Sequence, residues 1–187
     1  MAEDSKPATF DVGAIMAFVA PGFLAFASLG YHSPLVKGWL SAAVDKEQSL
    51  VGASLFMFLA SLAIGLVVSG VRALSIDRLL RCKWLGKYAV EQLSLDWAKL
   101  HHDDLPVLLT IRDNSYRYYQ FYSNALVALV FATVARWYAQ VPSLKFSVRA
   151  GIATVLLVLL LSARDSLKSY ITYVKQLMTK PEVRTHE

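Results

Sequence analysis

Residues 110–137 read TIRDNSYRYYQFYSNALVALVFATVARW. The first half is polar and carries Tyr116, Tyr118, Tyr119 and Tyr122, whereas the second half holds no charge until Arg136. A helix that changes polarity partway along is passing from water into lipid. Tyrosine suits the crossing point, because its ring is apolar and its hydroxyl seeks water. The aliphatic half then supplies the roughly 20 residues that a membrane-crossing helix needs.

Working outward, three more apolar blocks share this character. The four crossings are expected at about 12–31, 51–74, 121–141 and 147–163. Hydrophobic residues make up 56% of the 187-residue chain and the mean hydropathy is +0.43. Charges gather between the blocks instead of spreading evenly, which fits a polytopic membrane protein better than a soluble domain. The last block is the shortest: Arg149 and Arg164 bracket 14 residues, or about 21 Å of helix. Both arginines can snorkel and lengthen the effective span; a re-entrant segment is the competing reading.

The first residues, MAEDSKPATFDVG, are acidic and polar. They lack the basic start and small-residue cleavage site of a signal peptide, so the first block is expected to be a retained anchor. Four crossings put both termini on one side. If that side is the cytoplasm, 14 of the 19 Lys and Arg residues lie inside, and the positive-inside rule favours this orientation. The outer loops are then short, about 32–50 and 142–149. The water-facing cytoplasmic material comprises a helical segment over 75–120 and an amphipathic C-terminal helix over 164–180. The net charge of +5 is read as topology, and direct nucleic-acid binding is not expected.

Within 75–120, Ile76, Leu79, Leu80 and Trp84 share a helix face, Gly86 is a break, and Leu93, Trp97 and Leu100 repeat at helical spacing. Asp104 and Pro106 mark the start of a helix that runs on into the third crossing. Along that helix Asp113, Arg117, Gln120 and Asn124 fall on one narrow stripe, and Asp113 and Arg117 can pair at i, i+4. Amides carried into lipid seek partners or water. The stripe is read either as interhelical packing or as a pore mouth or partner-sensing face. The tyrosines are read as an interfacial belt, with a stacking platform for a nucleotide as the sharper alternative.

Ser61, Gly65 and Ser69 recur at steps of four, a spacing that lets helix backbones approach closely within one chain or between subunits. Pro21 and Gly22 predict a kink in the first crossing. Leu167, Ile171, Val174 and Met178 give the C-terminal helix an apolar stripe for cytoplasmic association, either on the chain's own 75–105 segment or with a partner.

His101, His102, Asp103 and Asp104 are consecutive and point in four directions, so they are read as a solvated helix end and no metal site is expected. Cys82 is the single cysteine, which excludes an internal disulfide. GxSxG, P-loop and GxGxxG motifs are absent from the sequence. Catalytic residues and cofactors are therefore not expected. The expected fold class is all-α: a polytopic integral membrane protein with four transmembrane helices and a small helical cytoplasmic layer. The expected function is non-enzymatic. The chain self-associates in the lipid bilayer of a bacterial inner membrane and couples to a cytosolic protein partner or signal. It would act as a channel-like or membrane-perturbing effector or sensor of a stress or antiviral system. A scaffold without conduction and a small enzyme acting on lipid are the alternatives.

Overall fold

The computed structural model describes residues 12–42, 50–81, 104–139, 141 and 145–179. Among these the regular structure is entirely helical. Helix α1 spans Val12–Leu29, α2 Pro34–Ala42, α3 Leu50–Arg81, α4 Leu105–Ile111, α5 Arg117–Tyr138 and α6 Phe146–Met178. A single π-helical turn, Arg112–Tyr116, joins α4 to α5, so backbone from Leu105 to Tyr138 is one continuous helix. The expected start at Asp104 is observed with Pro106 in the first turn, although the Asp104 side chain makes no capping hydrogen bond. The expected helices beyond Arg81, including Trp84, Leu93, Trp97 and Leu100, and the His101–Asp103 stretch lie outside the described residues.

Two helices are long and apolar enough to cross a membrane: Ser54–Leu80 within α3, and α6. The short fourth block of the sequence and the amphipathic tail form one helix of 33 residues. At 1.5 Å per residue it measures about 50 Å, well beyond the roughly 30 Å of a hydrocarbon core. Helix α3, with 32 residues, is almost as long. The backbone therefore runs unbroken through the expected boundary near residue 164. Helix α2 was not anticipated from the hydrophobic pattern, yet its start is a local signature. The Ser33 hydroxyl accepts the Val36 N–H at 3.3 Å, and Pro34 occupies the first helical position.

The helices alternate in direction. Helices α1 and α5 run parallel, with Asn124 beside Ala17 at one level and His32 Nε2 donating to the Ala135 carbonyl at 2.7 Å at the far end. Helix α3 runs against both. Helix α6 returns along α5, with Tyr116 on Tyr170 at 5.1 Å between ring centres. Two apolar cores result. One groups Ala25, Val68 and Ala128 between α1, α3 and α5. The other lies at the opposite end, where Leu80 of α3, Tyr119 of α5 and Leu167, Tyr170, Ile171 and Val174 of α6 pack with Leu108 and Ile111 of α4. Helix α2 covers the first end through Trp39, which stacks on Phe26 at 6.5 Å and meets Phe56 edge-on at 4.8 Å.

Candidate functional site

Two polar joints connect the helices inside this bundle. The first explains Asn124. Pro21 lies inside α1 and has no N–H, so the helical acceptor four residues earlier, the Ala17 carbonyl, loses its usual donor. Asn124 is fully buried on α5 and donates its Nδ2 to that carbonyl at 2.9 Å. The amide thus fills the gap left by the proline. Pro21 and the most buried residue of the polar stripe, 103 positions apart in sequence, form one structural unit.

Beside this joint α1 and α3 approach backbone to backbone. A Cβ added to Gly22 would run into the Ser61 carbonyl oxygen and stand 2.6 Å from the Gly65 nitrogen; one added to Gly65 would run into the Phe18 carbonyl. Ser61 and Gly65 of the small-residue stripe are used within the chain, against α1. Ser69 is half-buried one turn further along.

The second joint lies where α3 and α5 reach the other core. Arg72, within the apolar helix Ser54–Leu80, is buried. Its Nε lies 4.0 Å from Asp77 Oδ1, and its guanidinium carbon sits 5.4 Å from the centre of the Tyr119 ring. Tyr119 is buried as well and donates its hydroxyl to the same Asp77 oxygen at 2.5 Å. The short charge-assisted bond belongs to tyrosine and aspartate. The arginine is left with a long ion pair and a ring face, and its Nε and Nη1 have no hydrogen-bond partner. A buried cation with unfilled donors is costly to hold. Inside an apolar helix, such a residue is the default pointer to function.

The π-turn leads directly into this joint. A π-turn inserts one extra residue into an α-helix and is common at functional sites. Ser115 is buried within it, Tyr116 packs against Tyr119 at 5.7 Å, and Asp113 pairs with Arg117 at 2.8 Å on the outer side. Arg112 Nε also reaches Asp113, at 3.3 Å.

The polar stripe read from the sequence is graded. Asp113, Arg117 and Gln120 are half-buried, and only Asn124 is closed off. The four tyrosines do not act alike. Tyr119 and Tyr116 belong to the second core, Tyr122 packs partly against it, and Tyr118 stands exposed, stacked on Tyr122 at 6.3 Å. Of the four, Tyr118 alone is exposed. Leu167, Ile171 and Val174 are buried and Met178 is partly buried, all within the chain's own second core.

The sequence reading missed the Arg72–Asp77 pair. Arg72 registered only as one more cytoplasmic charge. The available signal was an arginine inside an otherwise apolar run followed five residues later by an aspartate. Among the described residues no group of three or more His, Cys, Asp or Glu side chains could hold a metal. Compared with known proteins, the chain matches no family model, no curated protein and no solved structure.

Proposed function

We propose that the chain is a non-enzymatic membrane protein with four crossings and both termini in the cytoplasm. It self-associates and couples that assembly to a cytosolic partner or signal through the Arg72 joint, acting as a channel-like or membrane-perturbing effector.

The crossing number is supported by a common level in the bundle. Arg72 and Tyr119 face each other, and the antiparallel register of α1 on α3 brings Val12 close to the same height. The register of α5 on α6 does the same for Leu167. From that level each helix runs about 18–23 residues to its outer end, at Leu29, Leu50, Tyr138 or Phe146. That is about 27–34 Å, the thickness of a hydrocarbon core. Helices α1 and α5 are shorter or more polar than α3 and α6 because they shield each other: Asn124 and the Ala17 carbonyl face inward and need no lipid-compatible surface.

The observation that carries the coupling is Arg72 itself. It stands between the membrane core and the cytoplasmic core, and its unfilled donors leave room for a second arrangement of its pair. The π-turn adjoins it and packs against α6. A partner that pulls on α4 therefore acts on Tyr119 within two turns of helix.

The test is reconstitution in liposomes with an ion-flux readout. Wild-type protein is expected to conduct, and Arg72→Met to lose flux while keeping its assembly size. Wild-type protein that assembles without flux would favour a scaffold, and Arg72→Met with wild-type flux would remove the joint from the mechanism.

A further inference from the structure

We propose that the cavity at the outer end of the bundle, where the α1–α2 turn and α2 meet the end of α5, binds the phosphate headgroup of an anionic phospholipid of the outer leaflet. The site rests on the four crossings proposed above, which put this end of the molecule at the outer surface of the membrane.

The cavity has a volume of about 630 Å³, the size of a small-ligand site. Ala27, Pro34 and Leu40 give it an apolar wall, and Tyr31, His32 and Lys37 bring polar ends to it. These three side chains are exposed, so a ligand can reach them. The His32 ring donates Nε2 to the Ala135 carbonyl at 2.7 Å, which ties the α1–α2 turn to the last turns of α5. Arg136 follows at once on α5, and its guanidinium carbon lies 6.0 Å from the centre of the Tyr31 ring. Two cations, an imidazole and a phenol therefore gather from three parts of the chain at one opening.

Charge selects the ligand. The sequence has no Asp or Glu between Asp11 and Asp45, between Glu47 and Asp77, or between Asp113 and Asp165. The outer halves of the described helices thus carry no carboxylate; Asp45, Lys46 and Glu47, in the α2–α3 connection, lie outside the described residues. A cationic site of this kind takes an anion, and phosphate oxygens accept charge-assisted hydrogen bonds from guanidinium and ammonium groups. Height selects the source of the phosphate. Helix α1 ends at Leu29 and α5 at Tyr138, so Tyr31, Lys37 and Arg136 stand at the end of the crossings, where phospholipid headgroups lie. Trp137, Tyr138 and Phe146 crowd the same level and are the most exposed large hydrophobic side chains of the described residues. Aromatic rings with polar edges belong among headgroups. Lys37 and Arg136 are also two of the five basic residues that the proposed topology leaves outside, and an anionic headgroup in the cavity offsets their charge.

The test is native mass spectrometry of the full chain in detergent micelles, titrated with phosphatidylglycerol or phosphatidylcholine. Wild-type protein is expected to retain phosphatidylglycerol at concentrations where phosphatidylcholine is lost. Lys37→Gln and Arg136→Gln should each weaken that binding about fivefold. Lys37→Arg, which keeps the charge, and Lys145→Gln, which removes a cation of the same end outside the cavity, should bind as wild type does. Equal retention of the two lipids overturns the site, and so does wild-type binding in the Lys37→Gln, Arg136→Gln double variant. Inorganic phosphate that displaces the lipid at equal concentration makes this a site for free anions and overturns the lipid assignment. Release of the protein from native membranes by alkaline carbonate overturns the crossings themselves; retention there, with no lipid preference in micelles, overturns this site alone.

Discussion

Replacing Asn124 with leucine tests how the first joint works. On polarity alone the change should be nearly neutral, since a lone amide in lipid gains little and leucine is close in volume. The structure reverses that expectation. Asn124 is fully buried and provides the donor that the Ala17 carbonyl cannot receive from Pro21. Two effects overlap on substitution, and the larger sets the cost. One is the lost interhelical hydrogen bond, which in membrane proteins averages about 0.6 kcal/mol and reaches about 1.7 kcal/mol. The other is a buried carbonyl left without a partner, at about 1–3 kcal/mol. Asn124→Leu should therefore destabilise the bundle by about 1–3 kcal/mol. The proline supplies the control. Pro21→Ala restores an N–H at the position where α1 needs one, so the Ala17 carbonyl regains its own helix donor. In that background Asn124→Leu should cost no more than about 0.6 kcal/mol. The assay is a double-mutant cycle by reversible unfolding in mixed micelles, and the expected coupling is about 1–2 kcal/mol. Equal costs in the two backgrounds, within about 0.5 kcal/mol, would refute the reasoning and show the amide–carbonyl contact to be incidental.

The close approach of α1 and α3 makes Gly22→Ala and Gly65→Leu disruptive. Each places atoms into facing backbone, and each should cost about 1–3 kcal/mol or more in the same unfolding assay, with Gly70→Ala, which meets open space, as the neutral comparison. Replacing the buried pair together, in Arg72→Met with Asp77→Asn, should leave stability unchanged or raise it by about 1 kcal/mol, because the desolvation of the guanidinium is removed; a loss above about 2 kcal/mol would show that the pair holds the fold. Orientation is checked with single cysteines: those at positions 45 and 143 should react with an impermeant reagent from outside, and one at position 185 only from the cytoplasmic side. Protection of 45 and 143 would reverse the topology.

What the sequence made legible followed the physics of local pattern. The apolar run of α6 and the long run of α3 are visible because each is apolar on nearly every side over the length a crossing needs, and these two are largely exposed in the fold. The Asp104–Pro106 start and the helix leading into Asn124 were legible for the same reason: each depends on a few neighbouring residues. The joints were not. Nothing near Asn124 in the chain announces that its partner is a carbonyl orphaned by a proline in another helix, although Pro21 and Asn124 each stood out separately. Arg72 was harder still. An arginine at the end of an apolar block is usually a topology signal, and it reads as one until Tyr119, 47 positions away, takes the Asp77 oxygen that would otherwise have been its partner. The π-turn has no residue signature in RDNSY; on one side of it Tyr116 packs against the second core, and on the other Asn124 holds the outer half of the same helix to α1. A helix fixed at both ends to different neighbours must absorb any mismatch between them, and the extra residue at 112–116 absorbs it beside the Arg72–Asp77 pair. In the coupling proposed above, that placement would carry a change at α4 to the Arg72 joint, even though neither Arg72 nor Asp77 lies on the helix that would move.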